Sequence, residues 1–128
     1  MSQVTILELL PQTSYNGGGT GNIYTVVGNA QPAAAYYLGN QDLQTINIKL
    51  SNCSANIVLE ASLNSNTANA EWFKVYELVA NANAATGSTV YDASNASMYT
   101  NLEGNFVYLR AKIVDFAGGV VNFVKLSY

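Results

Sequence analysis

The sequence predicts an all-β chain, and three observations predict it. Apolar and polar residues alternate at period two, the segments so patterned are rich in Val, Ile, Tyr and Thr, and Gly, Asn and Ser clusters separate them. About nine strands in one small chain, with no helical pattern alternating between them, are most economically stacked as two antiparallel sheets. The expected architecture is therefore a two-sheet sandwich of jelly-roll type, with an immunoglobulin-like arrangement as the alternative. At 128 residues the chain is read as one domain over 1–128.

Taken in order, the predicted strands are residues 4–10, 22–27, 34–38, 43–50, 56–63, 72–79, 89–93, 105–114 and 120–128. The best-patterned of them also assign their faces. Ile46, Ile48 and Leu50 alternate with Thr45, Asn47 and Lys49, and Ile57, Leu59, Ala61 and Leu63 alternate with Val58, Glu60 and Ser62. The first set in each strand is expected to face the core. Val107, Leu109, Ala111 and Ile113 form a third apolar row, which leaves Phe106, Tyr108, Arg110 and Lys112 on the opposite side. The connections carry turn chemistry: Gly17-Gly18-Gly19-Thr20-Gly21, the Asn52-Cys53-Ser54 turn, the Asn/Ser stretch 64–70, the Ala/Asn stretch 80–87, and Gly118-Gly119, which reads as a tight hairpin.

Composition narrows the function classes. Only 10% of residues are charged, against roughly 25% in ordinary soluble proteins, so solubility rests on Asn, Ser, Thr and Gln. Neutral amides and hydroxyls cost far less to bury than ions, which suits a protein that packs against neighbours. The net charge is -3, and Lys49, Lys74, Arg110, Lys112 and Lys125 form no basic run, which argues against a nucleic-acid partner. No apolar run approaches the roughly 20 residues of a membrane-crossing helix, and the start has no basic region of an export signal. No membrane partner is expected.

Catalytic chemistry finds little footing. The chain has no histidine, which removes the commonest general acid–base and metal-binding side chain. Cys53, the one cysteine, forms no internal disulfide and reads as a structural thiol. Glu71 and Glu77 are six residues apart, roughly 20 Å along a strand at about 3.3 Å per residue, too far for a glycosidase pair. Asp92, Glu103 and Asp115 read as solvated strand-end or turn residues. The Gly17–Gly21 loop lacks the following Lys and helix of a phosphate-binding loop, and 64–71 lacks the spaced aspartates of a calcium loop. No cofactor, no metal and no enzymatic activity are expected.

The positive signal is aromatic. Nine Tyr, four Phe and one Trp exceed what one small core needs, and Tyr and Trp suit positions with one apolar side and one wet end. Tyr36, Tyr37, Tyr76, Tyr91, Tyr99 and Tyr108 are candidates for an exposed face. The residues expected at an interface are Phe106, Tyr108, Arg110 and Lys112, with Tyr36 and Tyr37, because aromatics beside an arginine are the composition of interface hot spots.

A succession of motifs adds a resemblance. Tyr37-Leu38-Gly39-Asn40 precedes Leu43-Gln44-Thr45-Ile46. Then follow Ala55-Asn56-Ile57-Val58-Leu59-Glu60-Ala61-Ser62-Leu63, Glu71-Trp72-Phe73, Thr86-Gly87, Gly104-Asn105-Phe106-Val107-Tyr108-Leu109-Arg110-Ala111 and a C-terminal Val-x-Leu-x-Tyr. In this order the chain resembles small virion structural proteins of tailed bacteriophages, especially T4-like cyanophages and their relatives. It departs from them in having 64–70 where they carry an acidic, proline-bearing loop before Trp-Phe. The resemblance implies a non-enzymatic β-sandwich present in many copies on a virion assembled in the host cytoplasm. The leading expectation is a capsid decoration (cement) protein, a homo-oligomer, with a trimer as the guess, docked on the major capsid protein. The alternative is a tail-fibre, baseplate or other appendage module that binds host glycan through Trp72, Tyr36 or Tyr37.

Overall fold

The computed structural model describes residues 6–15, 24–35, 42–64, 66, 68, 70–81, 91–92 and 95–128. Nine strands run through them: β1 (Ile6–Leu10), β2 (Thr13–Ser14), β3 (Tyr24–Val27), β4 (Gln31–Pro32), β5 (Leu43–Ser62), β6 (Phe73–Asn81), β7 (Tyr91–Asp92), β8 (Asn95–Glu103) and β9 (Tyr108–Ser127). The fold is all-β, and its pairings are antiparallel except the short contact of β6 with β7.

Two 20-residue strands organise everything else. β5 and β9 pair antiparallel along their length, from Thr45 opposite Ser127 to Ser62 opposite Tyr108. Each long strand exchanges its outer neighbour midway. The first half of β5 (43–51) pairs with β8, and its second half (55–61) pairs with β6. The C-terminal half of β9 takes β1 and β2, while its N-terminal half takes β3 and β4.

The exchange happens at a bend. The β5–β9 register shifts between Ser51, Ser54 and Asn56, and Asn52 (φ 48°), Asp115 (φ 55°) and Gly119 (φ 82°) adopt left-handed backbone there. Asn, Asp and Gly are the residues that tolerate such a conformation, and a bulge built on it redirects a strand without ending it. A Cβ at Gly119 would run into the Asn52 carbonyl, so only glycine lets the two strands approach this closely. The expected Gly118-Gly119 hairpin is therefore corrected: the strand bends and continues, as does β5 through Asn52-Cys53-Ser54.

The predicted inward rows meet in one hydrophobic cluster. It contains Ile46, Ile48 and Leu50 from the first half of β5, and Ile57, Leu59 and Ala61 from the second. From β9 come Leu109, Ala111, Ile113 and Phe116 before the bend, and Val121, Val124 and Leu126 at its end or beyond. Each fully buried Leu or Ile contributes about 1.5–3 kcal/mol. Gln44 is the polar member of the interior: its Oε1 accepts the Ala34 N–H at 3.1 Å and its Nε2 donates to the carbonyls of Leu102 (3.0 Å) and Asp42 (3.1 Å). One amide thus ties the chain ahead of β5 to the end of β8.

Other expectations also need correcting. Leu63 was placed with the core row, but it lies beyond the end of β5 and is exposed. Val58, Glu60 and Ser62, which alternate with the core row, are buried as well. Of the predicted strand 34–38, residues 34 and 35 are helical because the chain turns there onto the Gln44 amide; 36–38 lie outside the described residues. β8 was not anticipated, since its Asn, Ser and Ala content gives a weak strand signal.

Candidate interaction face

The outer face of the second half of β5 is built around Glu60. Its β9 neighbour in register is Arg110, and Lys112 lies one outward position along, opposite Val58. Cross-strand partners share a face, so the pairing aims both cations at one carboxylate. Arg110 Nε donates to Glu60 Oε1 at 2.8 Å and Lys112 Nζ to Oε2 at 3.3 Å. The Arg110 guanidinium also lies over the Trp72 ring, 4.2 Å from its centroid, a contact worth about 0.5–2 kcal/mol depending on solvent exclusion.

This arrangement explains why the outward row is buried. Long side chains lie along the sheet and keep only their heads wet, so a residue can face outward and still lose its solvent. Among the described residues no buried side-chain nitrogen or oxygen lacks a hydrogen-bond partner. Both Glu60 carboxylate oxygens are engaged by cations of β9, so the acid ties the two strands together on this face.

The predicted interface residues separate. Arg110 and Lys112 belong to the Glu60 cluster, and Tyr108 is half-buried on the same strand, opposite Pro32 of β4. Phe106 corrects its assignment to the open row: it precedes β9 and packs against the hydrophobic cluster, edge-on to Phe73 with centroids 6.1 Å apart. Tyr36 and Tyr37 lie outside the described residues. Of the other tyrosines singled out, Tyr76 packs against the core and Tyr99 is exposed; for Tyr91 only the backbone is described.

Sequence reasoning missed Glu60 and Trp72 as partners of the cationic row. The available signal was a lone acid in a strongly patterned strand, a residue type that is seldom buried unless paired. Exposed apolar side chains share this face: Val27 opposite Lys112 and Val79 opposite Asn56.

The remaining reactive groups are occupied or scattered. Burial pushes the Cys53 thiol up to about 11, so it is protonated at neutral pH. Glu77 pairs with Lys74 at 3.1 Å, and Asp115 is exposed at the bend. Among the described residues no group of three or more acidic or Cys side chains converges as a metal site would require. No protein-family model matches the chain, and no curated protein matches it.

Proposed function

We propose that this chain is a non-enzymatic structural protein of a bacteriophage virion, a capsid decoration protein that docks on the head shell and stabilises it by packing. The observation that carries the reading is the composition of the Glu60 face. A stacked Trp72–Arg110 pair, its guanidinium bonded to Glu60, shares its face with exposed Val27 (52% exposed) and Val79. Interfaces favour Trp and Arg at their centres and avoid uncompensated charge there. Glu60 offsets one of its two cations, so docking leaves a single positive charge for the partner to meet. The low charge of the whole chain points the same way, as does the resemblance of its motif succession to virion proteins.

The fold reading that goes with this proposal is a jelly roll. The pairing order β1-β9-β5-β8 on one side of the bend and β3-β9-β5-β6 on the other supports this reading, since two interleaved Greek keys call for such an order. That both halves feed one hydrophobic cluster supports their lying face to face. Placing β1 and β3 on different halves favours this order over an immunoglobulin-like one. An appendage module reading glycan at Trp72 draws less support, because Arg110 already covers one face of that ring.

The test is rebinding. Particles stripped of the protein are mixed with the wild type or with Val27→Asp/Val79→Asp, whose exposed positions leave the fold intact. The wild type is expected to raise the temperature at which particles burst, since binding to the assembled state stabilises it by mass action, and the double variant is not. Equal bursting temperatures with and without wild-type protein exclude the cement role. Light scattering on the free protein tests the trimer.

A further inference from the structure

The outer face of the first half of β5 carries a different chemistry. Tyr99 of β8, Asn47 of β5 and Lys125 of β9 lie in one cross-strand row, with Thr45 and Ser127 in the next. Together with Phe123 and the edge residue Ile6 they line a cavity of about 470 Å³, within the roughly 300–1,000 Å³ of small-ligand sites. Tyr99 is 70% exposed, its ring unburied by any neighbour. The Asn47 side chain makes no hydrogen bond among the described residues, whereas the Thr45 hydroxyl donates to Asn101 Oδ1 at 2.8 Å.

Among the described residues, Lys125 is the one charge in the lining. Its ammonium lies 4.3 Å from the Phe123 ring centroid, which holds it at the pocket wall. Among the described residues it forms no salt bridge, although Glu8 stands opposite it on β1. The contrast with Lys112, which has Glu60, is direct.

We propose that this pocket binds a carboxylated oligosaccharide, with one sugar ring stacked on Tyr99 and the carboxylate of the adjoining unit at Lys125. A sugar ring offers an apolar face that an exposed aromatic can cover and hydroxyls that a free amide can bond. The Lys125 ammonium, bridged by no acid among the described residues, adds charge complementarity for a carboxylate, the stronger kind of hydrogen bond. Tyr99 and Lys125 are two strands apart, roughly 10 Å at about 4.8 Å per interstrand step, so one acidic sugar unit and its neighbour reach both. An aliphatic ligand would leave Asn47 and Lys125 unmatched, and a cation would meet Lys125 head-on. The site lies on the opposite half from the Glu60 face and does not rest on the cement role.

The experiment is an array of oligosaccharides bearing glucuronic, galacturonic or sialic acid beside their neutral counterparts, probed with the intact chain. Binding is expected for carboxylated members. Tyr99→Ala is expected to lower affinity roughly tenfold or more, and Lys125→Gln to reduce acidic members to the level of neutral ones. Thermal unfolding of both variants should match the wild type, which separates lost binding from lost folding. No binding to any carboxylated member, binding confined to neutral sugars, or binding indifferent to either substitution overturns the proposal. So does self-association in light scattering that Tyr99→Ala abolishes, since the pocket would then seat a second copy.

Discussion

The two halves of β5 follow the same alternation and end in opposite surfaces. In 43–51 the inward Ile46, Ile48 and Leu50 are buried and the outward Asn47 and Lys49 are exposed, as the pattern predicts. In 55–62 the inward residues are again buried, but the outward Val58 is only 6% exposed and Glu60 and Ser62 are buried with it. The difference lies in the neighbours. Trp72, Arg110 and Lys112 converge on Glu60 over the second half, whereas beside the first half Tyr99 stays exposed and Lys125 rests on Phe123. Facing outward and facing water are thus separate properties, and the second depends on what the adjacent strands carry. One face is closed by its own ion cluster; the other stays open around Tyr99.

The largest effect is expected where the halves join. Gly119→Ala forces a Cβ into the Asn52 carbonyl at a left-handed position and should cost about 3 kcal/mol or more in denaturant unfolding. Gly118→Ala, with open space around it, should stay within about 0.5 kcal/mol. The same bend offers a chemical reporter. The buried Cys53 thiol, raised from 9.0 to about 11, should resist alkylation at pH 8 in the wild type and become labelled in Gly119→Ala. Equal stability of the two glycine variants would mean that the bend is not what fixes the halves.

Next in size is the interior amide of the first half. Gln44→Leu leaves the Ala34 N–H and the Leu102 carbonyl without their partner and should cost about 2–3 kcal/mol. On the closed face, Glu60→Gln removes the anion between Arg110 and Lys112. Because those cations are only partly buried, about 1–3 kcal/mol is expected, between the values for exposed and buried pairs. The exposed Lys74–Glu77 pair is the control: Lys74→Ala should change stability by less than about 0.5 kcal/mol. If Glu60→Gln is equally mild, the ion cluster does not hold the outer face closed. The smallest effect is expected on the open face, where Tyr99→Ala should leave stability within about 0.5 kcal/mol.

The sequence by itself determined the class of fold and most of the core. Period-two patterning depends on the strand's own geometry, so Ile46, Ile48, Leu50, Ile57, Leu59, Leu109, Ala111 and Ile113 could be assigned inward without any partner in view. It also marked Arg110 and Lys112 as a distinctive row. Three matters were decided only by tertiary structure. Asn52 and Gly119 supply left-handed backbone, which a hairpin and a bulge require equally, and only the continuous β5–β9 ladder makes them bends. β8 has little strand propensity of its own and forms because the free edge of β5 offers its backbone partners. Glu60 is simply one alternate residue of a patterned strand until β9, fifty residues later in the chain, brings two cations alongside it. Local pattern encodes which way a side chain points; what it meets there is set by pairings that no local window contains.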